Sequence, residues 1–170
     1  MSESNIIYKI TALDLLSKAD FPLTNQQITG FFIDGNYTDY FSIQQILNDL
    51  VETNMVDMDQ GANETQYTIT AEGINTLELF QERITESIEE EIKNFYLQNG
   101  LEMKKDNSVL SDYYPSSAGG YYVHLRMSED NHSIMDLTFQ VSSEAQAEAI
   151  CMNWKQNYED VYAILLDNLM

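Results

Sequence analysis

Neither lysine nor arginine occurs between Lys18 and Arg83, while eleven acids fall within residues 19–82. That absence removes the usual grip on a polyphosphate, because most affinity for DNA comes from neutralising phosphates with Lys and Arg. The bias extends to the whole chain. In 170 residues, 28 acids against 8 bases give a formal net charge of -20, which repels nucleic acid and anionic membrane surfaces at long range. Cysteine is nearly absent as well: Cys151 alone excludes an intrachain disulfide and any multi-thiolate metal site within one chain, and suits a reducing compartment. No apolar run approaches the ~20 residues that span a bilayer. Met1 to Asn5 carries neither a basic n-region nor a signal-type apolar core, so a cytoplasmic protein without membrane contact is expected. Serine nucleophile elbows, phosphate-binding glycine loops and paired-carboxylate signatures are missing too. No enzyme, catalytic residue, cofactor or metal is expected.

What is present is strong local patterning. Ile6, Ile10, Leu13 and Leu16 recur at helical spacing and predict a first helix over about Asn5 to Ala19, stopped before Pro22. Thr24-Asn25-Gln26-Gln27 reads as a capping box opening a short second helix with Ile28, Phe31 and Phe32. Asp34-Gly35-Asn36 is turn chemistry, in which Gly or Asn supplies a positive φ. A third helix begins near Asp39, with Ile43, Ile46, Leu47, Leu50 and Val51 as its apolar stripe. Ser42, Gln44, Gln45, Asn48, Asp49 and Glu52 are expected to face outward. Met55 to Asp59 and Thr65 to Ile69 read as a hairpin around Gln60 to Glu64, and Thr70 caps a fourth helix. Three helices, a hairpin and a helix form the order of a winged helix-turn-helix, with the third helix in the recognition position.

The run Leu50-Val51-Glu52-Thr53-Asn54-Met55-Val56, followed after the hairpin by Tyr67-Thr68-Ile69-Thr70-Ala71-Glu72-Gly73, resembles the wing pattern of regulators related to PadR and MarR, with Asn54 where those families usually carry glycine. Over nearly its whole length the chain resembles a bacterial domain family of unknown function with a PadR-like N-terminal half. Asn36-Tyr37-Thr38-Asp39-Tyr40-Phe41, Gly119-Gly120-Tyr121 and Asn153-Trp154-Lys155 carry that likeness. It implies a transcription-associated regulator acting as a homodimer. In such regulators the helix after the wing often packs on its counterpart, so Ile84, Ile88, Ile92 and Phe95 are dimer-interface candidates by analogy, with an intrachain core as the other reading.

Ile74 to Phe95 could form one stripe running to Asn99-Gly100, but Thr85 followed by Glu86, Glu89 and Glu90 suits a new helix start, so a bend near Ile84-Thr85 is expected. From Leu101 the period changes to two. Tyr121, Val123, Leu125 and Met127, then Met135, Leu137, Phe139 and Val141, give a hairpin with one buried face, and a third strand is sought within Glu102 to Tyr114. Pro115 to Gly120 reads as a flexible connector. Ser143 to Gln146 reads as another capping box, and Asn157 as the cap of a last helix. The fold class is therefore α+β: a winged helix-turn-helix over 1–83, then a unit over 84–170 with an antiparallel sheet covered by helices.

Candidate contact residues lie on the third helix. Gln44, Gln45 and Asn48 could read base edges and Tyr40 or Ser42 touch phosphate, but with no cation nearby direct DNA binding is doubtful. Alternatively Tyr37, Tyr40 and Phe41 with the outward glutamines form a docking face for a basic or neutral protein, unless these rings pack beneath the turn. A third reading is a small-ligand sensor lined by Tyr113, Tyr114, Tyr121 and Tyr122, which otherwise fill a core and its rim. His124, His132 and Glu89-Glu90-Glu91 lack the convergent spacing of metal ligands, and Cys151 reads as a buried small hydrophobe.

Overall fold

A computed structural model describes residues 3–60, 64–130 and 132–170. Among them the chain is α+β, with six α-helices and two antiparallel three-stranded sheets. It divides into two compact units, residues 1–103 and 104–170, whereas the sequence patterning places a boundary at 83. No described helix is long and apolar enough to cross a membrane.

The first unit opens with α1 (Glu3–Ser17), β1 (Leu23–Thr24) and α2 (Asn25–Asp34). Thr24 caps α2 as its spacing predicts: its hydroxyl accepts from the Gln27 amide, and the Gln27 side chain accepts from the Thr24 amide at 2.9 Å. α3 (Tyr40–Glu52) buries Ile43, Ile46, Leu47 and Leu50, each worth roughly 1.5–3 kcal/mol when removed from water. It stops in a Schellman turn. Met55 N–H bonds back to Leu50 and Asn54 N–H to Val51, with Asn54 at φ 57°, the left-handed position for which glycine is favoured. Replacing Asn54 with valine is expected to lower stability by about 1–2 kcal/mol, because a β-branched side chain tolerates that φ poorly; urea melts would measure it. β2 (Val56–Gln60) and β3 (Thr65–Ile69) then pair, and β1 completes the order β1-β3-β2. The two-residue β1 is too short to leave a period in the sequence. The tip of the anticipated hairpin, Gly61 to Asn63, lies outside the described residues.

Thr70 caps α4 (Ala71–Phe80) through the Gly73 amide. A 3₁₀ turn over Gln81–Arg83 and an extended Ile84 follow, and the Thr85 hydroxyl accepts from Ile88 N–H at 3.4 Å, giving the anticipated break before α5 (Glu86–Ser108). The period of two expected from Leu101 does not begin there. α5 runs on through Gly100 because the Asn99 side chain bonds to the Phe95 carbonyl and Met103 is buried in the first unit's core. Such burial outweighs the roughly 1 kcal/mol helix cost of a glycine.

In the second unit β4 (Val109–Pro115), β5 (Tyr121–Glu129) and β6 (His132–Val141) form the other sheet, in that order. Two anticipated C-terminal helices are one, α6 (Glu144–Leu169). Asn157 starts no new helix; its side-chain amide donates to the Asn153 carbonyl one turn back, a bond compatible with unbroken helix. Ser143 caps α6 through Gln146 N–H, but Gln146 reaches back to Ser142 rather than closing the box on Ser143. Trp154, Cys151 and Ala147 on α6 pack over Val109, Val123 and Leu125. The predicted buried face of β6 is covered unevenly: Met135 is buried, yet Phe139 stays 39% exposed, since α6 packs chiefly on β4 and β5.

Candidate functional site

The Asp39 carboxylate sets the start of α3, accepting from the Ser42 amide at 2.9 Å and its hydroxyl at 3.1 Å. The Ser42 backbone bond, then its hydroxyl, hold the Asp39 carboxyl below the usual range. A depressed carboxyl pKa adds stability that is present above the unfolded-state value and lost as pH falls through the folded one. Asp39→Ala should therefore lower the melting temperature at neutral pH, and its difference from wild type should shrink on acidification toward the folded-state pKa; thermal melts across that range would test this.

Anchored this way, the first turn of α3 presents two rings to solvent. Tyr40 is 52% exposed and Phe41 83%, their centroids 5.8 Å apart at 83°, an edge-to-face pair. Tyr37 instead packs beneath the turn. It stacks on Phe31 at 5.6 Å and donates its hydroxyl to Glu91 at 2.5 Å, and its phenol pKa is raised by burial first and by that bond second.

The outward residues of α3 separate into two sets. Gln45 and Asn48 are exposed. Gln44, expected to face outward, is drawn into a network: it accepts from Asn25 at 2.8 Å and donates to Asn25 and Thr29 at 3.0 Å each, while Asn25 also donates to the Tyr67 hydroxyl at 3.2 Å. Its amide clamps α2 to α3. Gln44→Ala should cost about 1–2 kcal/mol by leaving these part-buried groups short of partners, visible as an earlier urea midpoint. Ser42 likewise spends its hydroxyl on Asp39.

Beside Tyr40 lies an open groove of about 560 Å³ between α2 and the start of β3, its walls including Asn25, Gln26, Ile33, Asp34, Tyr40 and Glu64. Among the described residues its lining has two carboxylates and no cation. Lys9 is bound to Asp49 of α3 at 2.9 Å. Lys18 pairs with Asp14 at 2.8 Å, and lines a second depression of about 570 Å³ with Lys93, Glu89 and Tyr96.

Other nominated residues disperse. Ile88 and Ile92 are buried in the first unit's own core, with Ile84 and Phe95 packed against it, so that stripe has intrachain partners. Tyr113 and Tyr121 pack toward the second unit's core, whereas Tyr114 and Tyr122, one residue along each strand, lie on the opposite face; the four do not converge. His124 pairs with Asp136 at 2.7 Å, and His132 begins β6. Cys151 is buried, which raises its thiol pKa. No group of three or more His, Cys, Asp or Glu able to hold a metal ion occurs among the described residues. Ile33 and Asp34 end α2 while Glu64 precedes β3, so their shared groove leaves no spacing signal in the sequence.

No curated protein and no solved structure matches the chain. One family model does, over residues 8–169, and by that match the chain belongs to the family described as Domain of unknown function (DUF4364).

Proposed function

We propose that the first unit is a winged-helix module that docks a basic segment of a partner protein. The observation that carries this is the exposed Tyr40–Phe41 pair at the start of α3, beside a groove whose described lining holds Asp34 and Glu64 and no cation. Its element order supports the winged-helix assignment: three helices, a β-hairpin and a further helix, with the short β1 joining the hairpin as third strand. Exposed aromatics suit interface hot spots, and carboxylates along the groove complement Lys or Arg on the partner. The module is non-catalytic and acts in the cytoplasm.

A transcription-associated regulator acting as a homodimer is the second reading, favoured by the same element order. On it, base contact falls to Gln45 and Asn48, the polar candidates of α3 that remain exposed. The readings separate by salt and by probe. An array of basic peptides carrying an apolar anchor should retain the protein, more weakly as salt rises, and Tyr40→Ala with Phe41→Ala should weaken retention roughly thirtyfold or more. Equal retention by acidic control peptides, or indifference to the double substitution, would sink docking. Recovery of a preferred genomic fragment at about 50 mM salt would favour the regulator instead.

A further inference from the structure

Edge strands invite pairing with another chain, and proteins blunt them by shortness, charge, proline or bulges. All four edges here carry some such device, but β6 carries the least for its length. β1 has two residues, the five-residue β2 carries Asp57 and Asp59, and β4 ends in Pro115. β6 differs. A register shift opposite Met127/Ser128 leaves Ile134 as its extra residue near the turn, and the regular stretch Met135–Val141 beyond it contains no lysine or proline. Its one acid, Asp136, lies 2.7 Å from the His124 ring. In a chain of net charge -20 this seven-residue stretch holds a single carboxylate, and its apolar face includes Phe139, 39% exposed.

We infer that β6 is the surface through which two copies of this chain associate, pairing antiparallel about a twofold axis to join their sheets. A twofold perpendicular to the sheet keeps like faces together, so Met135, Leu137, Phe139 and Val141 of both copies share one side. Centring on Thr138, the midpoint of 135–141, aligns the whole regular stretch. Phe139 then sits opposite Leu137 of the second copy, and Asp136 opposite Gln140, which keeps the two carboxylates apart. A second copy fits better than a basic peptide: the edge offers a charged partner almost nothing to pair with, while its own sequence is complementary to itself. β6 belongs to the second unit and the Tyr40–Phe41 pair to the first, and salt has opposite effects on the two associations. Screening between two chains of like charge strengthens self-association, whereas it weakens the docking of a basic segment.

Sedimentation of the intact chain across concentration tests this. The wild type should form a dimer whose dissociation constant falls between about 50 and 300 mM salt. Phe139→Lys should weaken it tenfold or more with an unchanged circular-dichroism spectrum. If Phe139→Lys unfolds the sheet, Thr138→Lys, at an exposed position, gives the same reading. Thr138→Cys should form a disulfide-linked dimer under mild oxidation, because directly opposed residues lie about 4.5–5.5 Å apart at Cα, within disulfide reach. A wild type that remains monomeric up to about 200 µM at high salt, or a dimer indifferent to a lysine at the edge, would overturn the assignment.

Discussion

Replacing Gly73 with alanine is expected to cost about 3 kcal/mol or more, lowering the first unit's melting temperature by roughly 10–20 °C. A Cβ at Gly73 would lie 2.1 Å from the Met55 carbonyl oxygen and 2.8 Å from Ile69 Cγ1. Met55 cannot retreat cheaply. Its amide closes the turn that ends α3, and its carbonyl accepts from Thr70 N–H at 3.1 Å. Thr70 is fixed in turn: its hydroxyl donates to the Asn54 carbonyl at 2.7 Å and accepts from Gly73 N–H at 3.0 Å. The end of α3, the start of β2, the end of β3 and the cap of α4 therefore meet where only hydrogen fits. Gly30 supplies the control. A Cβ there would have nothing within 4 Å, so Gly30→Ala in α2 should be neutral or stabilise by about 0.5–1 kcal/mol. Far-UV circular dichroism melts of both variants would decide; a Gly73→Ala protein melting within about 2 °C of wild type would contradict the close approach.

Gly73 also illustrates what sequence can carry. The pattern Thr70-Ala71-Glu72-Gly73 is readable as the end of a wing and the start of a helix, and the reason for its glycine is the Met55 carbonyl. Caps and periods are local, which is why Thr24, Asp39, Thr70 and the α3 stripe are legible without coordinates. Gln44 is not. Its spacing puts it on the polar side of α3, but its partners Asn25 and Thr29 belong to α2, and only the packing of two helices brings them within reach. Gly100 and Asn157 mislead for a related reason: both favour helix ends in isolation, and burial of Met103 and Trp154 on their respective helices holds the helical conformation across them. Of the candidate site, the aromatic cluster is legible but not which rings are exposed: Tyr37 packs on Phe31, while Tyr40 and Phe41 face solvent. The acidic groove is not legible, since Asp34 and Glu64 are thirty positions apart.

Trp154→Ala is expected to remove about 3–5 kcal/mol from the second unit, a loss comparable with the whole stability of a core this small. Trp154 is 2% exposed; its indole N–H donates to the Arg126 carbonyl at 3.2 Å, and its ring meets Tyr158 edge-on at 6.2 Å. Its fully buried neighbours, among them Val109, Val123 and Leu125, are aliphatic and too small to fill the space of an indole. Amides of β4, β5 and β6 should lose most of their protection from hydrogen exchange, while those of α1 and α3 keep theirs. Trp154→Phe should retain much of the packing and cost roughly 1–2 kcal/mol, chiefly the lost indole bond and a small void. The variant also separates the two proposed surfaces. Self-association through β6 requires an ordered sheet and should disappear in Trp154→Ala, whereas basic peptides should still bind the Tyr40–Phe41 face. Protected β5 and β6 amides in that variant would show that the indole does not hold the sheet, and a dimer surviving loss of their protection would remove β6 as its interface.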